Sequence, residues 1–343
     1  MDGMAEFPVG RRNAIVDVDG IRVGHEQRLD EHWATGTSVV LVPEGATAAV
    51  DVRGGGPGTR ETDVLEPTHL VSQAHAIVLS GGSAYGLASA DGVMNWLGER
   101  GHGVPVSQRP GEVVPVVPAA VVFDPPMSDW GNRPDAGFGY RAAEAASRTE
   151  TREGNVGAGT GAVAGSLKGG VGTASTVLDD GTVVGALMVV NSSGEVIDPD
   201  TGLPWFPVPG LRAPDPAEVA AGRPAPGRPH RHGRSERTLN TTVGVVATDR
   251  ILTKAQCKRV AVAAHDGLAR AVRPAHAMFD GDTAFALATG TGGELPEPWA
   301  VALDRVCAAA AHVTAVAIVR AVLAAQPVGE VTSYTNRYPS ARE

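Results

Sequence analysis

The sequence predicts a layered α/β domain with two sheets and flanking helices. Three observations lead there. Short β-branched and apolar runs alternate with helix-spaced segments along the chain. Aromatics make up only 4% while 43% of residues are hydrophobic, so the core is built from Ala, Val, Leu and Ile. Gly at 44 and Pro at 25 require many turns and tight backbone approaches, which suit layered strands and helices better than a helical bundle.

In chain order, strands are expected at 14–18, 21–23, 36–42 and 48–52, the last followed by the loop Arg53-Gly54-Gly55-Gly56-Pro57-Gly58. A strand at 76–79 turns through Ser80-Gly81-Gly82-Ser83 into a helix whose apolar positions are Leu87, Ala90, Met94 and Leu97, with Gly101 as its stop. Residues 113–123 read as a buried strand interrupted by prolines, followed by a helix over 139–148. A glycine-dense stretch, 154–172, leads to strands 174–178 and 183–191. Residues 211–237 are dominated by Pro, Ala, Gly, Arg and His; such a segment buries too little apolar surface to offset the entropy of ordering it, so it reads as a flexible linker. A strand then starts abruptly at Thr241 and ends near Asp249. Thr253 and Gln256 form a capping-box pattern for a helix with Val260, Ala264, Leu268 and Val272 on one face. The turn Asp280-Gly281-Asp282 precedes a strand at 283–289, and a last helix runs over 298–325, apolar on nearly all sides from 306 to 322 and hence packed between layers.

Bulk properties narrow the function classes. A formal net charge of -9 disfavours a nucleic-acid partner; the one basic cluster, 223–237, lies in the linker and reads as a solvated tether. Cys257 and Cys307 are the only cysteines, both in helical patterns, so they read as small core residues and not as a disulfide. Residues 1–12 lack the apolar core of a signal peptide, and no run is expected to reach the ~20 apolar residues of a membrane span. A soluble, cytoplasmic protein with no membrane partner is the expectation.

Several residues can carry chemistry. A core strand that starts at a hydroxyl residue after a tether is what a chain cut between Asn240 and Thr241 would show. A terminal Thr has an α-amino group, of pKa near ~7.7–8.0, beside its hydroxyl and able to take its proton. Thr241 and Thr242 also read as ordinary strand residues. Asp280 and Asp282 fit local turn chemistry, or they point into one pocket where one carboxylate raises the pKa of the other. The only nearby histidine is His276, and nothing there has metal-site spacing. Lys168, between Leu167 and Gly169-Gly170, is a surface turn or a desolvated base; no GxxxxGK[ST] phosphate loop is present. Asn191, at the end of its strand, is a turn former or an oxyanion donor. Tyr85, in the first turn after Gly81-Gly82, either faces a site with the free backbone N–H groups or is simply buried.

Taken together, Ser80-Gly81-Gly82-Ser83-Ala84-Tyr85-Gly86, the Lys168 glycine loop, the strand ending at Asn191, Asn240-Thr241-Thr242 and Asp280-Gly281-Asp282-Thr283 resemble the self-cleaving DmpA-type aminopeptidase family. The match runs from about Asn13 to Ala325. The Asn-Thr junction and the Asp-Gly-Asp-Thr turn are closest to the nylon-oligomer (6-aminohexanoate oligomer) hydrolases, whereas the aminopeptidase branch has a Gly-Ser junction. The resemblance implies a four-layer αββα sandwich of Ntn-hydrolase type, cut into an α chain (1–240) and a β chain (241–343) that stay together. It implies Thr241 as nucleophile, Lys168, Asn191, Asp280 and Asp282 in the catalytic neighbourhood, and Tyr85 on the substrate or oxyanion side. It also implies a homo-oligomer, a tetramer of αβ pairs, and no metal or organic cofactor. The expected activity is hydrolysis of linear amides, either short peptides or ω-amino acid oligomers. An N-acetyltransferase of the ornithine acetyltransferase type, or an aminopeptidase releasing N-terminal β- or D-amino acids, is the alternative.

Overall fold

A computed structural model describes residues 7–223 and 239–342. Its strands are β1 Arg22–Leu29, β2 Ala34–Val52, β3 Thr59–Arg60, β4 Gln73–Ser80, β5 Val104–Pro105, β6 Val113–Val114, β7 Ala119–Val121, β8 Val163–Ala164, β9 Leu167–Lys168, β10 Gly170–Val177, β11 Val183–Asn191, β12 Thr241–Arg250 and β13 Thr283–Gly293. Its α-helices are α1 Ser89–Gly98, α2 Ala136–Glu144, α3 Pro216–Gly222, α4 Lys254–Ala271, α5 Trp299–Ala324 and α6 Tyr334–Arg337.

Alternation along the strands defines the layers. Side chains of successive strand residues point to opposite faces, and each central strand divides its apolar residues between two different cores. In β4, Ala76 and Val78 join a core with Ala90, Val93 and Leu97 of α1 and Ala142 of α2. The intervening Ile77 and Leu79 join a second core with Leu187, Val189, Val243, Val245 and Phe285. On β11, Ala186, Met188 and Val190 face α4 and α5 in a third. The three cores are therefore the three interfaces of a four-layer αββα sandwich: α1/α2, one sheet, the other sheet, α4/α5. The two sheets are hydrogen-bonded through one strand. The order β10-β11-β12-β13-β2-β4-β7-β3, with β1 also on β2, forms a continuous nine-stranded network. The first half of β2 pairs with β1 and β4 and its second half with β13, with a register shift against β4 between Leu41 and Ala46.

Five expectations are corrected. Residues 14–18 are not a strand but a 3-10 turn, Ile15–Asp17, whose apolarity reflects Ile15 and Val16 buried between the sheets. Strands 36–42 and 48–52 are a single strand, bent at Gly45, where φ is +82°. The run 113–123 breaks into β6 and β7, because Pro115 and Pro118 cannot donate to a ladder. The segment 211–237 is ordered at its start: α3 lies there, and Glu218 accepts from the Ser340 hydroxyl at 2.6 Å; residues 224–237 lie outside the described residues. Finally, α5 is long and apolar enough to cross a membrane by length and composition, contrary to the expectation that no run is. Its apolar surface is covered on several sides: α4, β10 and β11 pack on it, while Phe7 and Phe206 place rings 4.7 and 5.6 Å from His312. The capping box at Thr253 and Gln256 is present, and Cys257 and Cys307 are free.

Candidate active site

Strand register and the turn before β13 bring Asn191, Thr241, Asp280 and Asp282 together at one edge of the sheet. Asn191, the last residue of β11, pairs with Thr241, the first of β12. On the other side β12 runs parallel to β13, whose ladder starts with Val243 opposite Thr283. Ahead of that ladder the turn before β13 holds the β12 entry by other means. Asn240 forms a parallel bridge with Asp280: its N–H donates to the Phe279 carbonyl at 3.0 Å, and its carbonyl accepts from Gly281 N–H at 3.0 Å. Thr242 N–H donates to Asp282 Oδ1 at 2.7 Å. The Thr241 hydroxyl, almost fully buried, makes a very short hydrogen bond to the carbonyl oxygen of Asn240. The nucleophile candidate thus touches the carbonyl of the peptide bond that precedes it, and that carbonyl already has a backbone donor on it.

The two carboxylates of the turn are held differently. Asp280 accepts from Ser193 N–H at 3.1 Å and Ala277 N–H at 3.0 Å. Burial, and then the neighbouring Asp282 charge, push its pKa up to about 6. Oδ2 of Asp282 accepts from the backbone N–H of His276 at 3.1 Å and from His276 Nδ1 at 2.8 Å.

Lys168 is fully buried, which settles it as no surface turn. Its Nζ donates to the carbonyls of Gly159 at 2.9 Å and Gly169 at 2.8 Å. Burial lowers its pKa to about 7, opposed by the charge of Asp124. Asp124 was not singled out from the sequence. It is buried, burial raises its pKa to about 6, and its Oδ1 accepts from Gly82 N–H at 2.6 Å. A signal existed: Asp124 is the one acid at the end of a proline-broken apolar run, before Pro125-Pro126. The Gly81-Gly82 motif is explained by the same residue, since a Cβ on Gly81 would sit 2.2 Å from Asp124 Oδ2. Asn191 ties these parts together, accepting from Val163 N–H at 2.9 Å and donating through Nδ2 to the Phe123 carbonyl at 3.1 Å.

A cleft of about 730 Å³ opens beside this edge, lined among others by Asp124, Asn191, Ser193, Asn240, Trp130 and Val331. Tyr85 stands apart from it. It is 56% exposed on the 3-10 helix Ser83–Ala88, with the Arg133 guanidinium 3.6 Å above its ring, and does not line the cleft. Among the described residues no group of three or more His, Cys, Asp or Glu is arranged to hold a metal ion.

Known proteins are similar to this chain in sequence and in fold. An uncharacterized aminopeptidase of Mycobacterium bovis is 51% identical over 96% of this chain and 99% of its own. A 6-aminohexanoate-oligomer endohydrolase of Kocuria sp. is 29% identical over 82% of this chain and 76% of its own. A Burkholderia sp. beta-aminopeptidase structure superposes with a TM-score of 0.69 at 26% identity, covering 99% of this chain and 92% of that one. The L-aminopeptidase D-Ala-esterase/amidase of Ochrobactrum anthropi, described as a variant of the Ntn hydrolase fold, shares the fold with a TM-score of 0.72 at 22% identity, over 96% of this chain and 90% of that one. Residues 13–335 match peptidase family S58, so the chain belongs to that family and is a hydrolase of amide bonds.

Proposed function

We propose that the chain is a self-processing amide hydrolase with Thr241 as its N-terminal nucleophile. The observation that carries this is the Thr241 hydroxyl on the Asn240 carbonyl, with Gly281 N–H donating to the same oxygen. In self-cleavage, Thr241 Oγ1 bonds to the Asn240 carbonyl carbon. The carbonyl oxygen takes the negative charge under the Gly281 N–H, and donors so placed are worth ~3–4 kcal/mol where measured. The C–N bond then breaks, the nitrogen takes a proton, and the ester left on Thr241 is hydrolysed to a carboxylate on Asn240 and a free amine and hydroxyl on Thr241. Neutral Lys168 is the proposed proton acceptor for this step, since burial keeps it from holding a proton firmly.

In the cut enzyme the Thr241 amine replaces that base. It takes the hydroxyl proton as Oγ1 attacks a substrate amide, gives it to the leaving amine, and then activates the water that releases the acyl group. Asn191, at the cleft wall and paired with Thr241, is the proposed side-chain donor to the substrate oxyanion, and Asp280 and Asp282 hold the geometry. The substrates proposed are linear amides, namely short peptides or ω-amino acid oligomers, in keeping with relatives named aminopeptidase and 6-aminohexanoate-oligomer endohydrolase. The paired chains are proposed to remain together as a cytoplasmic homo-oligomer.

The test is a denaturing gel with N-terminal sequencing of the purified protein. Two bands are expected, the smaller starting Thr-Thr-Val-Gly, and Thr241→Ala should stay intact and inactive. A Thr241→Ala chain that splits at the same bond overturns the assignment.

A further inference from the structure

We propose that His276 is a positioning residue of the Thr241 centre, clamping Asp282 so that its carboxylate fixes the strand end that carries the nucleophile. The inference rests on the reading of Thr241 as nucleophile.

The reasoning starts from the sheet. Thr242 is fully buried, and its N–H is directed to the β13 side one residue before the β12–β13 ladder begins at Val243 and Thr283. A buried N–H without an acceptor is strongly disfavoured, and Asp282 Oδ1 supplies the acceptor at 2.7 Å. A side chain thereby extends the ladder by one step, up to the residue after the nucleophile. A carboxylate on a short side chain can turn about its terminal bond, so one contact at Oδ1 does not hold it. The second oxygen supplies the rest: Oδ2 takes both the backbone N–H and the ring Nδ1–H of His276.

His276 is itself fixed. Its φ of +55° lies in the left-handed region, which residues other than glycine seldom occupy and His visits more than most. That conformation turns its own N–H and its ring toward the same oxygen. The ring packs edge-on against His265, with centroids 4.9 Å apart and planes at 70°, and His265 Nε2 donates to the Asp51 carbonyl of β2 at 3.0 Å. The clamp is therefore anchored on a neighbouring strand through α4. Nothing in the local sequence Pro274-Ala275-His276-Ala277 announces this; only the fold places the ring there.

The experiment compares substitutions that tolerate a left-handed backbone. His276→Gly keeps the backbone N–H and removes the ring donor; His276→Asn keeps a side-chain N–H close to the position of Nδ1. The full-length chain is synthesised in a cell-free system with a short label pulse, and conversion to two chains is followed on a denaturing gel alongside thermal melts. The expected result is self-cleavage at least tenfold slower in His276→Gly, with most of the rate restored in His276→Asn. Native speed in His276→Gly, or an Asn variant no faster than the Gly variant, overturns the proposal. Where the Gly variant does not fold, His276→Asp carries the test: it sets a like charge against Asp282, and a native rate there is equally fatal. Thr241→Ala runs in parallel. If that chain splits, the nucleophile reading itself has failed; if it stays whole while the His276 variants cleave normally, only the clamp is wrong.

Discussion

Gly281→Ala should stop or greatly slow maturation without unfolding the protein. Gly281 lies between the two carboxylates of the turn, and a Cβ built on it would meet Thr241 Oγ1 at 2.8 Å, the Gly56 carbonyl oxygen at 3.0 Å and Pro57 Cα at 3.1 Å. Ordinary contact begins near 3.4 Å, so the hydroxyl must retreat by about 0.6 Å, or rotate to another rotamer. Either motion takes it off the Asn240 carbonyl that it now touches. A misplacement of about 1 Å costs roughly 100-fold in rate, so a shift of this size predicts a slowing of about tenfold, and a rotamer change more. The glycine is not at positive φ, so alanine adds no backbone strain there. The assay is the half-time of conversion to two chains after pulse-labelled synthesis, with the melting temperature as control. Maturation at the native rate with an unchanged melt refutes the geometry, because it would mean that Thr241 Oγ1 attacks from a position the methyl does not reach.

Three further outcomes follow from the interior. Burial lowers Lys168 from 10.5 to about 7, so between those values the unfolded chain binds a proton that the folded chain lacks, and stability must rise with pH across that window; Lys168→Met should flatten the slope of urea stability against pH. The proposed self-cleavage through neutral Lys168 should quicken as pH rises through about 7, and Asp124→Asn, which removes the charge holding that pKa up, should move the rise to lower pH; an unmoved profile breaks the coupling. Gly139→Ala places a methyl 1.8 Å from the Ser89 carbonyl at the α1–α2 crossing and should destabilise by ~1–3 kcal/mol in urea; an unchanged midpoint would mean the helices can part freely.

The elements that the sequence announced were those with local causes. The α4 capping box, the strand from Thr241 and the Asp-Gly-Asp turn depend on side chains a few residues apart, and each lies where it was expected. The misread elements have distant causes. Ala14, Ile15, Val16 and Val18 are apolar because two sheets close over them, which no local pattern distinguishes from a strand. α3 and the residues around it are ordered by the chain's far end, through Glu218 with Ser340 and Leu211 opposite Arg342. Asp124 was overlooked because a lone acid beside two prolines reads as a loop; its importance comes from Lys168 and Gly82, neither of them adjacent in sequence.

The candidate site shows why spacing alone could suggest its members without arranging them. Asn191 and Thr241 stand on adjacent strands and Asp282 in the turn that enters the next, and what sets them side by side is register: Asn191 opposite Thr241, Val243 opposite Thr283. Side chains alternate faces along a strand, so slipping β12 by one residue against β11 would carry the Thr241 hydroxyl to the other face and put Val243 and Val245 out of the inter-sheet core. The same burial that stabilises the sandwich therefore aligns Thr241. Sites mounted on strands are held more tightly than sites on loops. Here the positioning extends past the last ladder pair through the Asp282 side chain on Thr242 and the Gly281 backbone N–H on the Asn240 carbonyl. The junction is thus held by the strand that the proposed cleavage would leave in place. Cutting the 240–241 bond would release a carboxylate into the cleft that Asn240 already lines, and would leave the pairing of Thr241 with Asn191 of β11 in place.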